Sequence, residues 1–524
     1  MRRSLIALAG GLALLTAACT SGGGDPDNNS GRNGGNNPPV TLRVLASSEL
    51  ADMQPVFDAA RDATGITVKA TWSGTLDAVE QIESGKADGA YDAVWLSSND
   101  YLRLRPGVAK KISSETPVMA SPVALGVRRE TVTRLGWQPD QVTWTQVHRA
   151  VADKKLTYGM TDPVRSNSGF SALISVASGL SGAQAALTDA DVSKATPKLK
   201  EFFAGQQLTS GSSGWLATAY ARRGTVDALI NYESVLMSMN RERPGSLVVI
   251  RPKDGVVTAD YPFTLLNSAP QKAREAGRRL TEYLRGVDAQ REITEKTLRR
   301  PVVAGVRPAA ALETGTRREL PFPGTRSVAD GLLDAYENKL RRPSRTVYVL
   351  DTSGSMKGQR LERLKAALSE LTEDFRDREE VTLMPFGSAV KQVRTHTVDP
   401  ADPAAAHAAI RADARALTAS GETAIYSSLE EAYRRLGGAD PAKTFTSVVL
   451  MTDGENTTGK SSAAFEAFYN GLPADRRHTP VFSILFGDSD RAQLEQIATL
   501  TGGRLFDATR GTLDGAFEEI RGYQ

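Results

Sequence analysis

Asp351, Ser353 and Ser355 lie on one short stretch directly behind the apolar run at 346–350. A buried strand that ends in one carboxylate and two hydroxyls would place three oxygen donors on a single tight loop. Two further segments carry matching groups. Thr423 follows Gly421 and Glu422 where a helix should begin, and Asp453 ends a second apolar run at 447–452. Two carboxylates and three hydroxyls form a hard-oxygen set that suits Mg²⁺ or Mn²⁺ and not zinc or copper. Any one of these residues alone reads equally well as a helix cap or a turn former. Strand–loop–helix context around all five favours the metal.

That context is written in the flanking periodicity. Leu361, Leu364, Leu368, Leu371 and Phe375 recur at helical spacing after the first loop, as do Ile425, Leu429, Ala432 and Leu436 after Thr423. Residues 381–386, 480–487 and 504–506 read as strands, and Leu513, Phe517 and Ile520 line a last helix. Alternating strands and helices predict a mostly parallel sheet covered on both faces. Ligands in such sheets gather at the carboxyl ends of the strands. Asp351 and Asp453 are expected there, with Asp351 at a strand end outside the core.

The pattern D-x-S-x-S, then T, then D resembles the metal-ion-dependent adhesion site of the von Willebrand factor type A domain and fits it at all five positions. The resemblance covers 345–524 and implies a doubly wound, Rossmann-like α/β fold. It implies that Ser353, Ser355 and Thr423 coordinate the metal and that Asp351 and Asp453 act directly or through water. Mg²⁺ keeps an open position, which a partner protein's acidic side chain fills in this family. The chemistry is therefore binding. Hydrolysis would need a positioned base, and Glu422 and Glu455 read as a solvated acidic rim, so the chain is not expected to be an enzyme.

The front of the chain bears on location. Arg2 and Arg3 precede an apolar run at 5–15, then Thr16, Ala17, Ala18 and Cys19. This is a secretory signal, too short for a membrane span. Its junction resembles a bacterial lipobox, with Thr16 standing where that pattern has leucine. Cys19 is the single cysteine of 524 residues and is the expected lipidation site, so residues 1–19 would be removed or modified and no disulfide is available. Residues 20–40 are a Gly/Asn-rich polar tether without the apolar content to fold. The expected location is the outer face of the cytoplasmic membrane, with a lipid anchor.

Residues 41–310 suit one large α/β unit. Three successive apolar runs end in hydroxyls or glycine: Ser47 and Ser48, then Ser73 and Gly74, then Ser97 and Ser98. Helix N-termini at such ends present free N–H groups to an anion or a polar solute, although capping alone accounts for each pair equally well. The arrangement resembles an extracellular solute-binding protein, the two-lobed periplasmic class that serves bacterial ABC importers. It implies a crossover strand at 121–127, a second ligand loop with Ser166 and Ser168, and a cleft segment with Tyr232 and Glu233. The run from 247 to 263 would return the chain to the first lobe. Residues 311–344 are a connector, with Ser327 expected to cap a helix that packs on one domain.

A net charge of +3 gives no electrostatic footprint for nucleic acid. The histidines at 148, 396, 407 and 478 lack zinc spacing, and no phosphate-cradling or nucleophile-elbow motif occurs. The reading is a membrane-anchored binding protein. Its C-terminal domain makes metal-dependent protein contacts, coupled to a module for a small polar or anionic solute. The alternative is the receptor of an ABC importer with an accessory C-terminal domain.

Overall fold

The computed structural model describes residues 39–524 apart from 225, 316–317, 373–374, 439–442, 474–475, 478, 488–489, 510–512 and 524. Cys19, the signal segment and the tether up to residue 38 lie outside the described residues. The first lobe is built on β1 (Val40–Ser47), β2 (Ile66–Ser73), β3 (Ala93–Trp95) and β4 (Ile112–Pro117). Val118 carries the chain into the second lobe, whose strands are β5 (Met119–Arg128), β6 (Tyr158–Thr161), β7 (Gln206–Ser210), β8 (Ala228–Tyr232), β9 (Leu247–Ile250) and β10 (Thr258–Ala259). At 260–261 it returns to add β11 (Pro262–Leu266) to the first sheet, giving the order β2-β1-β3-β11-β4. The second sheet runs β10-β5-β8-β6-β7, with β9 and the short β12 (Arg300–Pro301) also on β5. The expected crossover strand is thus β5, which pairs with β8, β9, β10 and β12.

Parallel pairing of β1 with β2 and β3 puts Ser47, Ser73 and the residues after Trp95 at the same edge of the first sheet. That edge faces the cleft. The return point is Tyr261, a non-glycine residue at φ +44°, which costs on the order of 1 kcal/mol or more. Its backbone is held from both sides, by Trp95 Nε1 donating to its carbonyl (3.1 Å) and its own N–H donating to Ser97 O (3.0 Å).

The connector helix Arg326–Ala335 is capped by Thr325, whose hydroxyl accepts from Val328 N; the expected cap, Ser327, lies inside the helix. Val328, Ala329, Leu332, Leu333, Tyr336 and Leu340 join the core of the two lobes. Tyr101 of the first lobe donates to Asp330 (2.9 Å), while Tyr336 donates to Gln206 of the second (3.3 Å). The helix therefore straps both lobes.

In the C-terminal domain β13 (Ser344–Asp351) is central because its Thr, Val and Tyr residues suit a strand buried on both faces. It pairs in parallel with β14 (Glu380–Phe386) and β16 (Phe445–Thr452). With β15 (Arg394–Thr397), β17 (Val481–Leu485) and β18 (Leu505–Asp507) the order is β15-β14-β13-β16-β17-β18. Only β15 is antiparallel. Alternation along β13 sends Tyr348 and Leu350 into one core, with Leu361, Leu364, Ile410, Phe517 and Ile520. Val347 and Val349 go to the other, with Ile425, Leu429, Phe465 and Leu494. This is the doubly wound α/β layer arrangement the alternating pattern requires. Within the described residues, no helix is long and apolar enough to cross a membrane.

Candidate metal centre and interlobe cleft

β13 and β16 are neighbours in register, so their carboxyl ends deliver Asp351 and Asp453 side by side. Gly354 N donates to Gly421 O (2.8 Å) and Ser420 N donates to Thr352 O (2.8 Å), which draws the Thr423 loop over the same end. Ser353 N donates to Asp351 Oδ1 (2.8 Å) and Thr452 Oγ1 to Asp351 Oδ2 (2.5 Å). The Ser353 and Ser355 hydroxyls are 2.9 Å apart, and Ser355 Oγ donates to Asp453 Oδ1 (2.8 Å). Asp351, Ser353, Ser355 and Asp453 thus form one hydrogen-bonded chain. Thr423 is set beside it by bonds in both directions with Thr457. Its Oγ1 lies 4.0 Å from where a side chain on Gly454 would begin.

Asp351 is fully buried, not outside the core as the sequence suggested. Burial raises its pKa, the Thr452 and Ser353 bonds oppose that shift, and the nearby Asp453 charge adds to it. A divalent cation would relieve both unfavourable effects. Two basic groups stand close by. Lys391 donates to Thr352 O (2.7 Å) and feels the Asp351 charge, though burial lowers its own pKa. Arg360 Nη1 donates to Asp453 Oδ2 at 2.7 Å. Glu422 and Glu455 are exposed on the rim. Among the described residues no group of three His, Cys, Asp or Glu side chains could hold a metal. The donors present are two carboxylates with hydroxyls, a set that fits Mg²⁺ and not zinc.

The cleft residues fall into two groups. Thr75 Oγ1 lies 2.8 Å from both Ser47 Oγ and Ser97 Oγ, joining the three strand ends of the first lobe. In the second lobe Ser168 Oγ meets Thr161 (2.8 Å), Ser166 (3.3 Å) and Ser213 (2.7 Å). Asn167 donates to the Tyr232 hydroxyl (3.0 Å). The lobes touch directly: Ser48 Oγ donates to Ser212 Oγ (2.7 Å), and Leu76 N donates to Arg165 O (3.0 Å). Ser73 stands beside Ser47 in register, half-buried, and Ser98 accepts from Asp100 N in a turn (3.1 Å). Glu233 is buried and paired within the protein. Arg300 grips both its oxygens (2.8 and 2.9 Å) and Arg251 adds a third contact (2.5 Å), so its carboxylate is committed to an ion pair.

Sequence reading missed Glu49 and Tyr261. Glu49 Oε1 and the Tyr261 hydroxyl are buried without hydrogen-bond partners among the described residues. Burial pushes the Glu49 carboxyl up to about 7, and its charge also reaches Tyr232. A glutamate next to Ser47 and Ser48 was the available signal, but it reads as an ordinary first-turn acid. Gly74 matters by close approach: a Cβ there would press into Arg165 O and sit 2.9 Å from Asp77 Oδ2 and 3.1 Å from Gly211 O. Gly74→Ala should therefore lower the thermal midpoint by an amount corresponding to about 1–3 kcal/mol or part the lobes. Melting and small-angle scattering test this; an unchanged midpoint and radius of gyration would remove the close-packed cleft.

Comparison with known proteins agrees with this division. The family "Bacterial extracellular solute-binding protein" matches residues 42–297, and "von Willebrand factor type A domain" matches 344–506. Inter-alpha-trypsin inhibitor heavy chain H4 of Sus scrofa is 28% identical over 169 residues, 31% of this chain and 18% of that protein. Heavy chain H1 of Bos taurus is 29% identical over 198 residues, 36% and 21% respectively. The chain thus spans about a fifth of the length of these curated relatives. The periplasmic binding protein AfuA of Actinobacillus pleuropneumoniae aligns over 57% of this chain and 98% of its own, at 13% identity and a TM-score of 0.48. A von Willebrand factor type A protein from Catenulispora acidiphila covers 34% and 42%, at 19% identity and a TM-score of 0.30. From the two family matches and the sheet topologies on which they fall, the chain is a bacterial-type extracellular solute-binding domain followed by a von Willebrand factor type A domain.

Proposed function

We propose that this protein is a non-enzymatic, extracytoplasmic binding protein whose C-terminal domain holds a partner protein through Mg²⁺ or Mn²⁺. The supporting observation is the hydrogen-bonded chain Asp351–Ser353–Ser355–Asp453 at the carboxyl edge of β13 and β16. These residues, with Thr423, would hold the ion. Bound there, Mg²⁺ supplies a hard Lewis acid with an open position for an acidic side chain of the partner. Asp351 and Asp453 would set the charge, and the buried loops would exclude competing water.

The solute-binding domain takes a small polar solute between its lobes in this reading, and Glu49 Oε1 and the Tyr261 hydroxyl support it as buried polar atoms without a hydrogen bond among the described residues. They equally support the second reading, a receptor that hands its solute to an ABC importer. Lipid at Cys19 would keep the protein on the outer face of the cytoplasmic membrane in either reading. One experiment addresses the whole reading. Membranes carrying wild type or Cys19→Ser are solubilised and the protein is pulled down in Mg²⁺ or in EDTA. Wild type should be membrane-bound and retain a protein partner only with Mg²⁺, and the variant should leave the membrane fraction. Partner retention indifferent to EDTA would refute the metal-dependent contact, and an ABC permease as the captured partner would favour the importer reading.

A further inference from the structure

We propose that Arg360 is an internal counter-ion of Asp453 that competes with a divalent cation for that carboxylate. The inference rests on the metal reading of the site and adds a residue that sets its affinity.

Arg360 is the second residue of the helix Gln359–Leu371. A cation in a first helical turn opposes the helix dipole, which favours anions there. Its place is explained by what it reaches. Arg360 Nη1 donates to Asp453 Oδ2 at 2.7 Å, while Asp453 Oδ1 accepts from Ser355 at 2.8 Å. Both oxygens of this proposed metal-site carboxylate are therefore engaged, one of them by a full positive charge. The Asp453 side chain is fully buried and that of Arg360 is 36% exposed. The carboxylate thus has no water to fall back on, whereas the guanidinium can swing out to solvent. Gly487, at φ +66°, leaves room at this point: a Cβ there would lie 3.1 Å from Asp453 Cβ and 3.4 Å from Arg360 Cζ.

Asp351 and Asp453 repel one another inside the domain. Either a divalent cation or an arginine relieves that repulsion, and both would draw on the Asp453 carboxylate. The two states exclude each other in part, and the arginine lowers apparent metal affinity by whatever its own bond contributes. A charge-assisted hydrogen bond of this kind, discounted for the exposure of the arginine, corresponds to about a tenfold change in affinity.

The test is isothermal titration of the full chain with MgCl₂ for wild type, Arg360→Ala and Arg363→Ala, with melting of each in EDTA. Arg363 lies on the same helix and is exposed, so its removal changes net charge equally without touching Asp453. Arg360→Ala should bind Mg²⁺ about tenfold more tightly and melt lower than wild type in EDTA, and Arg363→Ala should match wild type in both. Titration of Arg360→Ala alone, with wild type silent, would support the same competition in a stronger form. Equal affinity of wild type and Arg360→Ala would overturn the counter-ion. An equal gain in Arg363→Ala would overturn it too, because it would show a general charge effect. Silence of all three proteins would overturn the metal reading itself, and the competition with it.

Discussion

Asp351→Asn should leave the C-terminal domain folded and lower its affinity for Mg²⁺ by at least about a hundredfold. Even outer-shell partners of a bound metal are each responsible for about ten- to a hundredfold in affinity, and Asp351 is placed to contribute its charge at the centre of the site. Asparagine can still accept from Ser353 N through its Oδ1, and its Nδ2 can donate to Thr452 Oγ1 in place of the second bond that Asp351 receives. Asp351→Ala should lose the metal equally but melt lower, since two donors in a fully buried place lose their acceptor, a cost of about 1–3 kcal/mol. Titration calorimetry reads the affinity and thermal melting reads the fold. Metal affinity unchanged in the asparagine variant would reduce the five-residue match to helix capping.

The second large effect is expected at Glu379. This glutamate is buried and receives Arg341 and Arg521, with Arg521 Nη1 at 2.8 Å from Oε2. Burial alone would raise its pKa, but Arg521, Arg341 and Arg376 outweigh burial and hold it at about 2. Glu379→Gln leaves these guanidiniums short of a buried counter-charge, which costs about 3–5 kcal/mol. For a domain of this size the thermal midpoint should fall by about 10 °C. The linkage has a definite sign. The folded pKa lies below the unfolded value near 4.5, so the stabilisation is complete above about pH 4.5. It is lost as pH falls through the folded value of about 2, and amounts to about 3 kcal/mol. The difference in midpoint between wild type and variant should therefore shrink as pH drops from 6 toward 3. A gap independent of pH would show that packing, not charge, is what glutamine disturbs.

The same arginines reach the other domain. Arg376 pairs with Glu337 of the connector (2.6 Å) and lies 3.7 Å from Asp162 of the second lobe. Arg504 of the C-terminal domain stacks over Trp215 of that lobe at 4.5 Å. A cavity of about 580 Å³ lies beside this contact, with Phe482 and Tyr523 opposite Leu208 and Thr218. Asp162 belongs to the same turn as Arg165, whose carbonyl accepts from Leu76 across the cleft, so this segment touches both the first lobe and the C-terminal domain.

The sequence by itself determined the parts whose cause is local. The strand, loop and helix around Asp351 and Asp453 are each specified within a few residues, by β-branched runs and by apolar residues at helical spacing. Hence the parallel sheet and the gathering of these donors at its carboxyl edge could be read in advance. Where the local signal was weak the reading failed. The edge strand β15 is mostly exposed and polar, and the helix Pro403–Arg415 buries only Ile410 and Ala414, so neither shows a strong apolar period. Tertiary structure alone decided which polar groups are spent. Glu233 and Glu49 look alike in sequence, each an acid in the first turn after a cleft strand. One meets Arg300 and Arg251 from distant segments, and the other is buried near the Arg299 charge with its Oε1 making no hydrogen bond among the described residues. Arg360 likewise reads as a surface cation until β16 brings Asp453 to it across 93 residues. Charge pairing falls off within a few ångströms and ignores chain distance, so it is fixed only when the chain has folded.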